Sequence, residues 1–194
     1  MSKKLPKFND LSYIHFITTN TNNRFPFFKD DELCQILADN IEFYEKKFNL
    51  EIYSWVIMPD HLHLLAWWDG DKYPKLTISK IMQGIKGSSA RQIIDYLKKQ
   101  PDGSEQRLRA TKDGFLSGSR EPLLPTGEPQ FSPGSHKRNL KYQIWQPDFY
   151  DYNIDSDYKL NEKINYIIEN PIRAGLVTDW QNYKWLYLNK DFDG

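Results

Sequence analysis

The chain has 194 residues, long enough to bury a sizeable core, and its 26 basic and 26 acidic side chains leave no net charge. Composition therefore offers no argument for a polyanion partner. The single cysteine, Cys34, excludes an intramolecular disulfide and fits a reducing compartment. The start, Met1 to Pro6, lacks the apolar stretch of a signal peptide, and no segment approaches the ~20 apolar residues of a membrane span. The expectation is a soluble, cytoplasmic protein.

Taken in order, Ser12 to Asn20 is rich in β-branched and aromatic residues and predicts a first strand. Asp30 to Lys47 predicts a helix, with acids in its first turn and Leu33, Ile36, Leu37 and Ile41 near helical spacing. Cys34 falls within that apolar rhythm, so packing is expected of it and not reactivity. Leu50 to Ile57 reads as a second strand, joined through Met58-Pro59-Asp60 to a third, His61 to Trp68, as a hairpin. Thr77 is a candidate N-cap for a helix to about Lys99, on which Ile78, Ile81, Met82, Ile85, Ser89 and Ile93 make one stripe. Gly84 and Gly87 either weaken the middle of that helix or mark a close approach by a neighbour. A further strand near Tyr142 to Trp145 would complete an α+β, ferredoxin-like sandwich with an antiparallel sheet.

From Gln100 to about Asn139, repeated Pro and Gly punctuate a polar stretch without periodicity. It reads as an excursion from one domain spanning residues 1–194, not as a second domain. Its Arg107, Arg109, Lys112, Arg120, Lys137 and Arg138 are candidates for phosphate contacts, and His136 is expected at the surface. Ser156 to Asn170 reads as a last helix, with Leu160, Ile164, Ile167 and Ile168 as its stripe and Pro171 as its stop. Lys159, Lys163, Tyr166 and Asn170 project away from the stripe, with Tyr166 and Asn170 one turn apart on one side.

The most informative run is Val56-Ile57-Met58-Pro59-Asp60-His61-Leu62-His63-Leu64-Leu65. Strand side chains alternate faces, so His61 and His63 share one side while Leu62 and Leu64 take the other. Two adjacent imidazoles form half a metal site that lacks only oxygen ligands. The plainer alternative is a pair of hydrogen-bonded strand histidines. Tyr166 likewise has a plainer reading as a tyrosine at the rim of the core, and Asn170 as a helix-ending residue before Pro171. His15 reads as structural; Arg173 could pair with a phosphate or compensate the helix C-terminus, and the second is the preferred reading.

Three blocks together carry a resemblance. Met58-Pro59-Asp60-His61-Leu62-His63-Leu64-Leu65, Trp145-Gln146-Pro147-Asp148-Phe149-Tyr150-Asp151 and Tyr166 through Val177 resemble the single-tyrosine HUH transposases, and more narrowly the REP-associated tyrosine transposases. The resemblance runs from about Tyr13 to Trp185, apart from the excursion. It implies a ferredoxin-like domain with helices packed on one face of the sheet and a C-terminal helix bearing the tyrosine. His61 and His63 become metal ligands, Tyr166 the nucleophile, and Asn170 the residue completing the metal site through its carbonyl oxygen. Imidazoles alone suggest Zn, Ni or Co, whereas the resemblance implies Mg or Mn.

The implied activity is cleavage and strand transfer of single-stranded or hairpin DNA through a 5′-phosphotyrosine, by a homodimer. Aromatic residues, 15% of the chain, offer stacking surfaces, among them Trp55, Trp67, Trp68 and Trp145. Lys86 and Arg91 are the candidates for DNA-backbone contacts. Tyr152 departs from the pattern, since relatives tend to carry a histidine there. A different class stays open: a non-catalytic nucleic-acid-binding module on a ferredoxin-like sheet, which would leave His61, His63 and Tyr166 without a role.

Overall fold

A computed structural model describes residues 13–100 and 142–190. The excursion, with its basic residues and His136, lies outside the described residues. Five strands, β1 (Ile14–Asn20), β2 (Glu51–Met58), β3 (His61–Trp67), β4 (Tyr150–Ile154) and β5 (Leu186–Leu188), form one antiparallel sheet in the order β4-β1-β3-β2-β5. Among the described residues three α-helices accompany it: α1 (Asp31–Phe48), α2 (Ile78–Lys99) and α3 (Asp157–Arg173). This is the expected α+β, ferredoxin-like arrangement. No helix among the described residues is long and apolar enough to cross a membrane.

Each helix begins where a side chain satisfies an orphan amide. Asp30 accepts from the Glu32 N–H, Thr77 from Lys80 and Ser156 from Lys159. α1 ends on Asn49 in the left-handed region, and its N–H donates back to the Glu45 carbonyl.

Strand alternation then divides the apolar residues between two cores. Ile17, Leu62 and Leu64 pack with Leu33, Leu37, Ile81 and Ile85 under α1 and α2. Phe16, Val56, Met58 and Leu65 face the other way and pack with Leu160, Ile164 and Ile167 of α3. α1 and α2 thus share one face of the sheet and α3 covers the opposite face. His61 and His63 have the parity of Leu65, which sets them beneath α3.

Three expectations need correction, and one strand was not foreseen. Tyr142 to Trp145 is not a strand: Trp145 makes one isolated bridge to Thr21, and β4 begins only at Tyr150. The Trp145 indole is instead buried and donates to Ser89 Oγ. β5, a three-residue edge strand beside β2, went unpredicted. Pro171 does not stop α3, which continues to Arg173. In the last turn proline forgoes one bond, and the end is closed by Ala174, Gly175 and Leu176 amides donating to Asn170, Ile172 and Pro171 carbonyls, with Gly175 at φ +68°. Lys163 does not project away from the stripe; its stem is buried with the ammonium over the Phe16 and Tyr152 rings and paired with Glu162.

Candidate active site

β3 sets the two histidine rings with centroids 4.8 Å apart and planes at 81°. Each ring is held through Nδ1. Thr18 Oγ1 lies 2.8 Å from His63 Nδ1, and Asp60 Oδ1 lies 2.6 Å from His61 Nδ1. His63 is only 3% exposed, and its Nε2 finds no hydrogen-bond partner among the described residues. Burial first, then the charges of His61, Arg24 and Arg173, pushes its proton affinity well below the usual histidine range. The ring is therefore neutral. With its proton on Nδ1 toward Thr18, Nε2 presents a lone pair to whatever enters the site.

Asp60 is itself positioned from the other side. Its Oδ2 is 2.9 Å from Arg24 Nε, and Arg24 also donates to Asn20 Oδ1. Burial works to raise the Asp60 carboxyl, but the hydrogen bond from His61 and the charges of His61 and Arg24 outweigh it and hold the group low. Arg24 reaches this place because Asn23 and Arg24 both take φ near +54°, a left-handed turn that costs a non-glycine residue about 1–2 kcal/mol. The Thr21 N–H and hydroxyl, both donating to the Asp60 carbonyl, tie that turn to the β2–β3 hairpin.

α3 supplies the phenol. The Tyr166 ring meets His63 edge-on at 5.2 Å between centroids and Phe16 at 5.8 Å. The Asn170 amide nitrogen donates to the Tyr166 carbonyl at 2.9 Å, which orients Asn170 Oδ1 away from the helix backbone. Arg173 stacks its guanidinium 4.6 Å from the Tyr166 centroid and donates to the same carbonyl. The structure thus gathers His61, His63 and Tyr166 within one chain, with Asn170 on the next turn.

His61, His63 and Asn170 carry the side-chain donors that could hold a cation with open coordination positions. Among the described residues no three His, Cys, Asp or Glu side chains converge on a metal position. Here a cation would take two imidazoles and an amide oxygen, leaving room for phosphate oxygens. The orphaned His63 Nε2 is the observation that favours such a ligand, since buried polar atoms are rarely left unpaired.

The candidates for DNA contact stand elsewhere. α2 lies across the sheet from the histidines. There Lys86 donates to the carbonyls of Gln146, Pro147 and Asp148, committing all three of its hydrogens. Burial lowers it to about 8, against the pull of Asp148. Arg91 is exposed on the same helix. Trp68 and Trp145 are buried, and Trp55 and Trp67 are half-buried. His15, expected to be structural, stacks on Trp68 and bonds Asp151 at 2.9 Å.

Three contributors escaped the sequence reading, Thr18, Asp60 and Arg24, while Arg173, preferred there as a helix-end charge, stacks on the phenol. The parity of Thr18 on β1 was a usable signal, as was the position of Asp60 beside His61. Nothing in the sequence marks Arg24, whose role depends on a rare backbone conformation.

A family described as "Transposase IS200 like" matches residues 9–109, just over half of the chain and inclusive of the histidine pair. The chain belongs to this family. Membership makes it a transposase-like protein, although the matched segment ends well before Tyr166. Among solved structures, a REP-associated tyrosine transposase bound to a REP hairpin is 19% identical, with a TM-score of 0.58 over 90% of this chain and 75% of that one. A protein from Deinococcus radiodurans R1, described as a transposase, is 18% identical, with a TM-score of 0.45 over 86% of this chain and 95% of that one. The first of these likenesses concerns the fold. No curated protein matches the sequence.

Proposed function

We propose that this IS200-like transposase cleaves and rejoins single-stranded or hairpin DNA, with Tyr166 as nucleophile. The observation that carries the reading is the Tyr166 ring resting 5.2 Å from His63, whose buried Nε2 has no partner among the described residues. A binding module would need neither. The REP hairpin bound by the similar solved structure supports the choice of substrate.

In this reading His61, His63 and the carbonyl oxygen of Asn170 hold a divalent cation, Mg or Mn. When bound, it would neutralise phosphate charge and fix the orientation of the scissile group. Asp60 and Thr18 hold the two imidazoles, each through Nδ1. The Tyr166 phenol attacks phosphorus in line as its proton passes to water. An O–P bond to tyrosine forms and the P–O3′ bond breaks, leaving a 5′-phosphotyrosine and a protonated 3′-hydroxyl. The linkage conserves the bond energy, so another 3′-hydroxyl can reverse the step without ATP. Arg91 stays our candidate for a contact to flanking DNA.

The test is a covalent adduct. Protein incubated with a single-stranded hairpin oligonucleotide and Mn should yield a species that survives a denaturing gel. It should vanish with a chelator and in Tyr166→Phe. An adduct persisting in Tyr166→Phe would remove the assignment, and hairpin binding with no adduct would favour the non-catalytic module. The homodimer implied by the resemblance belongs to the same proposal, and light scattering showing active monomer would end it.

A further inference from the structure

Among the described residues, Arg173 is the cation beside the phenol whose charge is least consumed by partners. Arg24 is paired with Asp60 and bonded to Asn20, and Lys163 is buried against Glu162. Arg173 differs. Its side chain is 51% exposed, and its ion pair with Glu169 is long, at 3.9 Å between two solvated groups. Such a pair holds little. The guanidinium nevertheless has a fixed place, because its face lies on the Tyr166 ring and Nη2 donates to the Tyr166 carbonyl at 3.2 Å.

We propose that Arg173 is a catalytic residue that grips the scissile phosphate beside Tyr166. This rests on the transfer reaction given above. Arg173 follows Tyr166 by seven residues, two helical turns, so both side chains lie along the same side of α3. Its guanidinium and the His63 ring both contact the Tyr166 ring, at 4.6 Å and 5.2 Å from its centroid. A phosphate reached by the Tyr166 oxygen and drawn toward the imidazoles therefore sits within the field of this guanidinium.

The fork of a guanidinium suits two phosphate oxygens, and its bonds among the described residues use only part of its five N–H groups. As the phenol oxygen bonds to phosphorus and the 3′ oxygen departs, negative charge gathers on the two non-bridging oxygens. Arg173 stabilises that charge while remaining protonated throughout. Stacking also fixes the plane of the phenol that attacks.

Arg173→Gln should slow single-turnover adduct formation about 100- to 1,000-fold at saturating DNA, the range for removing one such donor. Hairpin affinity should change less than about threefold, and Mn affinity measured without DNA should not change. Arg173→Lys keeps the charge at the helix end and loses the fork; it should be slower than wild type by roughly tenfold. With a methylphosphonate at the scissile position the charge is gone, so wild type and Arg173→Gln should differ by less than about threefold.

A folded Arg173→Gln with the wild-type rate overturns the inference, as does a deficit undiminished on the methylphosphonate. Should Arg173→Gln fail to fold, full rate in Arg173→Lys overturns it. Adduct lost in Tyr166→Phe but made at full rate in Arg173→Gln removes this inference alone. Absence of any adduct in the wild type removes it together with the transfer reaction.

Discussion

Thr18 and His63 face each other across the β1–β3 pair, with Thr18 Oγ1 2.8 Å from His63 Nδ1. The same imidazole stacks on Phe16, with planes 16° apart, and meets the edge of Tyr166. Three neighbours from two elements therefore fix its orientation, and the atom left over is Nε2. A ligand ring held this way loses little freedom when it binds a cation.

Thr18→Val keeps the branched shape and removes the hydroxyl. Mn affinity should fall by about 10- to 100-fold, the range for losing a partner that orients a histidine ligand. Isothermal titration without DNA measures it, and Tyr166→Phe should match wild type in the same titration. Stability should change by only about 1 kcal/mol. Equal affinity in Thr18→Val and wild type would mean that the hydroxyl does not prepare the site.

The two glycines of α2 should respond to alanine with opposite signs. A Cβ on Gly84 would stand 2.5 Å from Tyr44 Cε1 and 2.7 Å from Cζ, whereas one on Gly87 meets nothing within 4 Å. Alanine improves helix propensity by about 1 kcal/mol at either position. Overpacking at Gly84 costs about 1–3 kcal/mol and should outweigh that gain, because the half-buried Tyr44 ring is also stacked on Phe48. Urea denaturation should show Gly87→Ala more stable than wild type and Gly84→Ala less stable. Combining Gly84→Ala with Tyr44→Ala should restore the propensity gain. Loss of stability at both glycines would show that the α1–α2 approach is not what selects Gly84.

What the sequence made legible follows from periodicity. The parity of His61 and His63 could be read because a strand repeats every two residues, and the pairing of Tyr166 with Asn170 because a helix repeats every 3.6. The missing parts depend on contacts between distant segments. Tyr142 to Trp145 mimics strand composition, yet the Trp145 indole is drawn to Ser89, 56 positions away. Three-residue β5 is too short to show alternation. Lys163 carries a charge that normally marks a solvated face, but its stem fits between α3 and Phe16. Propensity points away from a left-handed Arg24, so only the Asp60 partner reveals why that backbone is retained.

Raising the pH should destabilise the fold, and Cys34 should dominate the early part of the loss. Cys34 is fully buried, with its thiol donating to the Phe28 carbonyl at 3.2 Å. Burial first, then Asp31 and Asp30, pushes it up to about 12 from an ordinary 9.0. Tyr183, whose hydroxyl donates to the Ile57 carbonyl, is pushed up to about 12 by burial in the same way, and Tyr53 is raised as well. These acids keep their protons in the folded chain while the unfolded chain releases them. The folded state therefore binds more protons above pH 9, and stability falls as pH rises. At pH 10.5 Cys34 alone should cost about 2 kcal/mol relative to pH 8, from about 1.4 kcal/mol per pH unit beyond its unfolded value. Thermal melts at pH 8, 9 and 10 should trace the decline, and Cys34→Ser, which cannot ionise there, should flatten it whatever its stability at pH 8. Burial also predicts that a disulfide reagent leaves the native thiol untouched until the protein unfolds. An equally steep decline in Cys34→Ser would assign the alkaline loss to the tyrosines instead.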